Sequence, residues 1–174
     1  MKVLVLGATG GSGRAIVARL LGAGHDVTAF VRDPARMDAA PGLRIVAGDA
    51  TVAGDVARAV PGQGAIVISL GQRPEPFAWL PGRGRAPAHL CETGTRHVLD
   101  AIPPGASPRL VVVSAYGVGD TRDTAPWYVR LYLRLFLGAL MDDKERQEAL
   151  LKARDLDYLL VQPVALTDGP ATGT

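Results

Sequence analysis

Val3-Leu4-Val5-Leu6-Gly7-Ala8-Thr9-Gly10-Gly11-Ser12-Gly13, running on into Arg14 to Leu21, sets the architecture of this chain. Four apolar residues without interruption predict a short strand buried on both faces, as strands of parallel sheets are. Ile16, Val17, Leu20 and Leu21 recur at helical spacing, so the residues from Arg14 onward predict a helix. Gly22 and Gly24 supply its stop. The glycines between strand and helix have separate physical tasks. One permits a tight turn, one lets backbone approach a pyrophosphate, and one lets helix and strand pack closely. The N–H groups opening the helix, with the helix dipole behind them, then form a seat for an anion. Gly7, Thr9, Gly10, Gly11, Ser12 and Gly13 are thus the candidate dinucleotide loop. The plainer alternative is a tight turn with no ligand.

Outward from this unit, Val27–Val31, Leu43–Ala47, Ala65–Leu70, Leu110–Val113 and Leu156–Val161 read as further strands. Thr51–Val60, His89–Ile102, Val129–Leu140 and Lys144–Ala153 read as helices. Gly71 to Pro87 carries Pro74, Pro76, Pro81 and Pro87 with Gly82 and Gly84, and reads as a loop after a strand's carboxyl end. Loops there are the ones that contact ligands in α/β sheets. Strands alternating with helices predict an α/β protein: a Rossmann-type doubly wound parallel sheet with helices on both faces. Residues 1–174 are expected to form a single NAD(P)-binding domain, with a closing helix and strand expected past Thr174.

Apolar residues make up 48% and charged residues 21%, ordinary values for a globular protein. A net charge of +2, spread along the chain, gives no basis for nucleic-acid binding and weakly suits an anionic ligand. Cys91 stands alone, so no intramolecular disulfide forms. His25, His89 and His97 lack ligand spacing, and no metal is expected. Trp127 to Met141 is apolar but too short and too charged, through Arg130 and Arg134, for a membrane span. With no secretory pattern at Met1-Lys2, a cytoplasmic protein without membrane attachment is expected.

About twenty residues past such a loop, NAD-preferring proteins carry an acid for the ribose hydroxyls. Here the second strand ends Phe30-Val31-Arg32-Asp33-Pro34. Arg32 could fork onto a 2′-phosphate with help from Arg36, and less surely Arg14, or be a solvated surface residue. Asp33 could serve a ribose instead, so NADP(H) is the preferred cofactor and NAD(H) stays open. Asp49 is placed to bond an adenine amine, or to cap a helix or form a turn.

The loop spacing is G-x-x-G-x-x-G. Together with Val31-Arg32-Asp33-Pro34, Ser114-Ala115-Tyr116-Gly117, Val161-Gln162-Pro163 and Leu166-Thr167-Asp168-Gly169-Pro170, it resembles the NmrA-like/NAD(P)H-binding family of atypical short-chain dehydrogenases/reductases, the group that includes flavin (biliverdin-IXβ) reductases. The resemblance spans essentially the whole chain. It implies that Ser69, Leu70 and Gly71 pass close to the cofactor ribose. It also implies that Ser114 lies beside the nicotinamide, flanked by Gln162, Pro163 and Val164. Gln162 departs from the arginine more usual before that proline.

Many short-chain dehydrogenases use Tyr-x-x-x-Lys, the lysine lowering the pKa of a proton-donating tyrosine. Tyr116, Tyr128, Tyr132 and Tyr158 are followed four residues later by Asp120, Tyr132, Phe136 and Gln162, so the pair is absent. Hydride transfer to a flavin, quinone or related planar acceptor needs less, because the acceptor delocalises charge and solvent supplies the proton. The candidate catalytic residues are Ser114, Tyr116 and Lys144. Ser114 reads equally as a strand-end cap, and Lys144 as a solvated helix face paired with Glu148. Trp127, Tyr128, Leu131, Tyr132, Leu135 and Phe136 form an apolar helical face for core packing, a subunit interface or a lid. The expectation is an NADPH-dependent reductase of a small planar redox substrate. Its alternative is a non-catalytic redox sensor with a regulatory protein partner, and a homodimer fits either.

Overall fold

The structure, a computed structural model, describes residues 1–71, 89–124 and 126–164. The first strand, β1 (Lys2–Leu6), runs into helix α1 (Gly11–Gly22). Strands β2 (Asp26–Val31) and β3 (Leu43–Ala47) follow, then helix α2 (Ala53–Ala59) and strand β4 (Ala65–Ile68). Helix α3 (Leu90–Ala101), strand β5 (Arg109–Val113), helix α4 (Trp127–Lys152) and strand β6 (Tyr158–Val161) complete the described chain. Short 3-10 turns lie at Pro34–Arg36 and Gly119–Thr124.

All five strand pairings are parallel, and the sheet order is β3-β2-β1-β4-β5-β6. This is the doubly wound arrangement expected from the sequence. The order reverses between β1 and β4, which opens a crevice outside the carboxyl ends of those strands. Two-sided burial explains the unbroken apolar runs. Leu4, Leu6, Ile66, Ile68, Leu110 and Val112 pack with Val56, Val98, Leu99 and Leu151 from α2, α3 and α4. Val3, Val5, Val27, Ala29 and Val67 face the other way, toward Val17 of α1. Each large side chain so buried contributes about 1.5–3 kcal/mol.

The expected helices Val129–Leu140 and Lys144–Ala153 are one continuous helix, α4. Met141-Asp142-Asp143 contains no glycine or proline to stop it, and Asp143 lies inside α4, where its side chain caps α3. Its carboxylate accepts from the N–H of Cys91 at 2.9 Å and of Glu92 at 2.8 Å. The loop expected between Gly71 and Pro87 lies outside the described residues beyond Gly71. The Leu-Thr-Asp-Gly-Pro segment, 166–170, lies outside them too. Among the described residues no helix is long and apolar enough to cross a membrane.

Candidate active site

The glycine loop joins the end of β1 to α1 at the crevice. Gly7 adopts φ +80, and a Cβ there would run into the backbone of Ser69 at the end of β4. The Gly10 N–H donates to the Gly7 carbonyl at 3.0 Å, closing the turn. A Cβ on Gly13 would run into that same Gly7 carbonyl, so the third glycine sets how closely helix and strand approach. The first helical bond is donated by Arg14 N–H to the Gly10 carbonyl at 2.9 Å. The N–H groups of Gly11, Ser12 and Gly13 therefore have no intrahelical acceptor. Among the described residues no side chain caps this terminus, and no acidic residue stands in its first turn. Gly10 and Gly11 are exposed. The result is an open, positively polarised helix end at the sheet's reversal point.

One side of the loop carries the arginines. Arg14 reaches back to the Thr9 carbonyl at 3.3 Å and across to the Arg36 carbonyl at 2.5 Å, tying the loop to the Pro34–Arg36 turn. Arg32 and Arg36 are exposed. Asp33 accepts from the Ala35 N–H at 3.1 Å and so caps that turn. Asp49 sits after β3, and its Oδ1 accepts from the N–H and the hydroxyl of Thr51 at 2.8 and 2.7 Å, the turn-forming geometry. These two bonds, the backbone one foremost and with help from the nearby Arg32 charge, hold its carboxyl below the usual value of 3.8 against the opposing effect of burial.

The other side is built by β4, β5, β6 and α4. Ser69 and Leu70 extend β4, with Ser69 N–H donating to the Leu6 carbonyl at 3.0 Å, and Gly71 is exposed. Ser114 follows β5 and is buried. Its N–H donates to the Val161 carbonyl at 2.8 Å, and the Tyr116 N–H to the Pro163 carbonyl at 3.1 Å, so the loop after β5 runs alongside Gln162-Pro163. Val164 is exposed. The Tyr116 hydroxyl hydrogen-bonds the Thr124 hydroxyl at 3.3 Å, whose own proton goes to the Thr121 carbonyl at 2.8 Å. Ser114 stands two strands from the glycine loop, about 10 Å at ordinary inter-strand spacing.

Lys144 is not on a solvated face. It is 5% exposed, and its ammonium donates to the Leu70 carbonyl at 2.7 Å, the Val113 carbonyl at 2.6 Å and Gln147 Oε1 at 3.3 Å. An ammonium has three donors, so none is left over, and Lys144 staples the ends of β4 and β5. Nor does it pair with Glu148, whose Oε1 instead accepts from the Ser114 hydroxyl at 2.5 Å and Gln162 Nε2 at 2.8 Å. Gln147 donates to Thr95 on α3 at 2.8 Å. Asp143, Gln147 and Glu148 did not emerge as site residues from the sequence. The available signal was helical phase: 144, 147 and 148 share the inward stripe of the core residue Leu151, at steps of three, four and seven. Core packing is excluded for Trp127, Tyr128 and Leu135, which are exposed. The side chains of Leu131, Tyr132 and Phe136 lie outside the described ones.

Residues 7–174 match the model of a family described as NAD(P)H-binding. A chloroplastic protein of Arabidopsis thaliana is 32% identical over 181 residues, covering 99% of this chain, which spans 61% of that relative's length. Among solved structures, ChuY, an anaerobillin reductase from Escherichia coli O157:H7, is 25% identical with a TM-score of 0.73, over 99% of this chain and 77% of that one. The oxidoreductase ylbE from Lactococcus lactis superposes with a TM-score of 0.78 at 20% identity, over 99% of this chain and 73% of that one. An open glycine-loop helix at the reversal of a parallel sheet, within residues 7–174 that match the family model, places the chain in the NAD(P)H-binding family.

Proposed function

We propose that the chain is an NADPH-dependent reductase that passes hydride to a flavin, quinone or related planar acceptor. The observation that carries this reading is the uncapped N-terminus of α1, which offers the Gly11, Ser12 and Gly13 N–H groups to a diphosphate at the sheet's reversal point. Exposed Arg32, with Arg36 beside the same turn, would take the 2′-phosphate, because guanidinium pairs with phosphate through two parallel bonds. Ser69, Leu70 and Gly71 would line the nicotinamide ribose, and Ser114, Gln162, Pro163 and Val164 the nicotinamide itself. The bound cofactor supplies the hydride. The chain's own contribution is to bind, orient and keep water from one face of the reacting pair. The missing Tyr-x-x-x-Lys pair favours an acceptor that stabilises its own charge over a simple ketone. The reductase named among the similar structures supports the same class. Cytoplasmic residence belongs to the proposal as well, although the curated relative is chloroplastic.

Calorimetric titration with NADPH and NADH, followed by turnover assays on a panel of flavins and quinones, tests the reading. NADPH is expected to bind more tightly than NADH. Arg32→Ala should weaken NADPH by on the order of 1.5–3 kcal/mol with little change for NADH. Bound cofactor with no turnover on any acceptor would refute catalysis. It would leave the second reading, a dinucleotide-dependent sensor, which the exposed Trp127, Tyr128 and Leu135 on α4 favour as a protein-contact surface.

A further inference from the structure

Ser114 does not stand alone: behind it a run of hydrogen bonds has only one direction available. The Val118 carbonyl can only accept, so the Gln162 group 3.1 Å away from it is the amide nitrogen. The same nitrogen lies 2.8 Å from Glu148 Oε1, which must therefore accept. The Ser114 hydroxyl donates to the same Oε1 at 2.5 Å. Glu148 is 1% exposed, and among the described residues its Oε2 has no hydrogen-bond partner. A serine hydroxyl has one proton and two lone pairs. With the proton held inward, Oγ offers only lone pairs to anything seated against it.

We infer that Glu148 fixes the hydrogen-bond polarity of Ser114, so that the ligand atom placed against Ser114 is an N–H donor: a primary amide or a ring N–H, never a carbonyl oxygen. The inference rests on the reading that Ser114 faces the nicotinamide and its acceptor. It makes Glu148 and Gln162 positioning residues, acting on the ligand through Ser114. A ligand carbonyl at that point would set two acceptors against each other and leave both unbonded, which is how a polar site rejects a close analogue. The shared chemistry is an N–H, and it has two sources: the carboxamide of the cofactor or a ring N–H of the acceptor.

The test compares binding of NADPH with its 3-acetylpyridine analogue, in which a methyl ketone replaces the amide, for wild type, Ser114→Ala, Glu148→Met and Glu148→Gln. Thermal melting verifies that each variant is folded. Wild type is expected to prefer the amide about tenfold, the scale of one lost hydrogen bond. Ser114→Ala and Glu148→Met should bring the ratio close to one. Glu148→Gln should keep it, since a glutamine oxygen at the Oε1 position accepts both bonds and its amide nitrogen takes the place of Oε2. If the donor belongs to the acceptor instead, the cofactor ratio is near one throughout. The KM for a flavin then rises about tenfold in Ser114→Ala and Glu148→Met, while that for a quinone without N–H stays constant. An amide preference intact in Glu148→Met, or Glu148→Gln behaving like Glu148→Met, would overturn the inference while leaving cofactor binding in place. Failure of wild type to bind NADPH at all would bring down the proposed function together with it.

Discussion

Gly13 shows how a single missing methyl group organises the site. A Cβ there collides with backbone of the Gly7 turn, which no rotamer change relieves. Gly13→Ala is expected to destabilise the fold by about 1–3 kcal/mol in urea denaturation, because helix and strand must move apart. Such residues are legible in sequence, since glycine recurring at fixed spacing marks backbone that a side chain would block. Lys144 was named from sequence as a candidate, but its burial and the part Glu148 plays were not legible, because a charged residue four positions from an opposite charge on a helix reads as an exposed pair. Helical phase with Leu151 was the one hint, and the tertiary partners supply the rest. Cys91 belongs with them: desolvation above all pushes its thiol up to about 12, the neighbouring Asp143 carboxylate adding to the effect and the Lys144 ammonium opposing it. Its Sγ donates to the Leu70 carbonyl. The folded protein should therefore resist a thiol-specific reagent at pH near 8 and react fully once unfolded, a comparison that absorbance at the reagent's product band reads directly. Asp49 gives the acid-side counterpart. Its folded pKa is depressed, so its contribution to stability is complete above the unfolded value of 3.8 and is lost as pH falls through the lower folded value. The urea midpoint of wild type should exceed that of Asp49→Asn near neutrality, and the gap should close as the pH falls below about 4.

Among the elements, α4 carries the most information that a linear reading could not supply. Asp143 has the residue type and the position of a helix cap, and the expectation of a helix starting beside it followed sound local rules. The carboxylate caps a helix, but α3, whose Cys91 N–H lies 52 residues earlier in the chain. Sequence separation hides this, because capping preferences describe only a residue's own chain neighbours. Asp143→Ala removes the acceptor of two N–H donors, that of Cys91 buried and that of Glu92 half-buried. It should cost about 2–4 kcal/mol, well above an exposed cap, with Asp143→Asn intermediate; guanidinium unfolding monitored by circular dichroism measures both. The strands present the opposite case. β1 through β5 were legible within two residues; for the central β1 and β4 the reason is that burial on both faces writes a continuous apolar run, while the edge strand β3 is only partly buried and carries Arg44. β6 is shorter than its apolar run, Leu156 to Val161, because the Leu156 N–H turns back to the Arg154 carbonyl before pairing begins.

At the scale of the whole molecule, the sequence predicted a doubly wound parallel sheet, and the structure supplies its strand order. Right-handed crossovers on a parallel sheet leave few topologies, and the reversal between β1 and β4 follows from placing helices on both faces. Connectivity brings the glycine loop, Ser69 and Ser114 to the same edge of the sheet, which spacing along the chain could only suggest. The Lys144 ammonium has a mechanical consequence here. By clasping the last carbonyls of two adjacent strands from the helix above, it welds β4, β5 and the latter half of α4 into one rigid plate. Hydrogen exchange should find the amides of Ile66 to Ile68, Val111 to Val113 and Gln147 to Leu151 opening with a single shared free energy. A wall already stiff before any guest arrives has no ordering entropy left to lose on occupancy, and its shape becomes a constant that selects the guest instead of yielding to it.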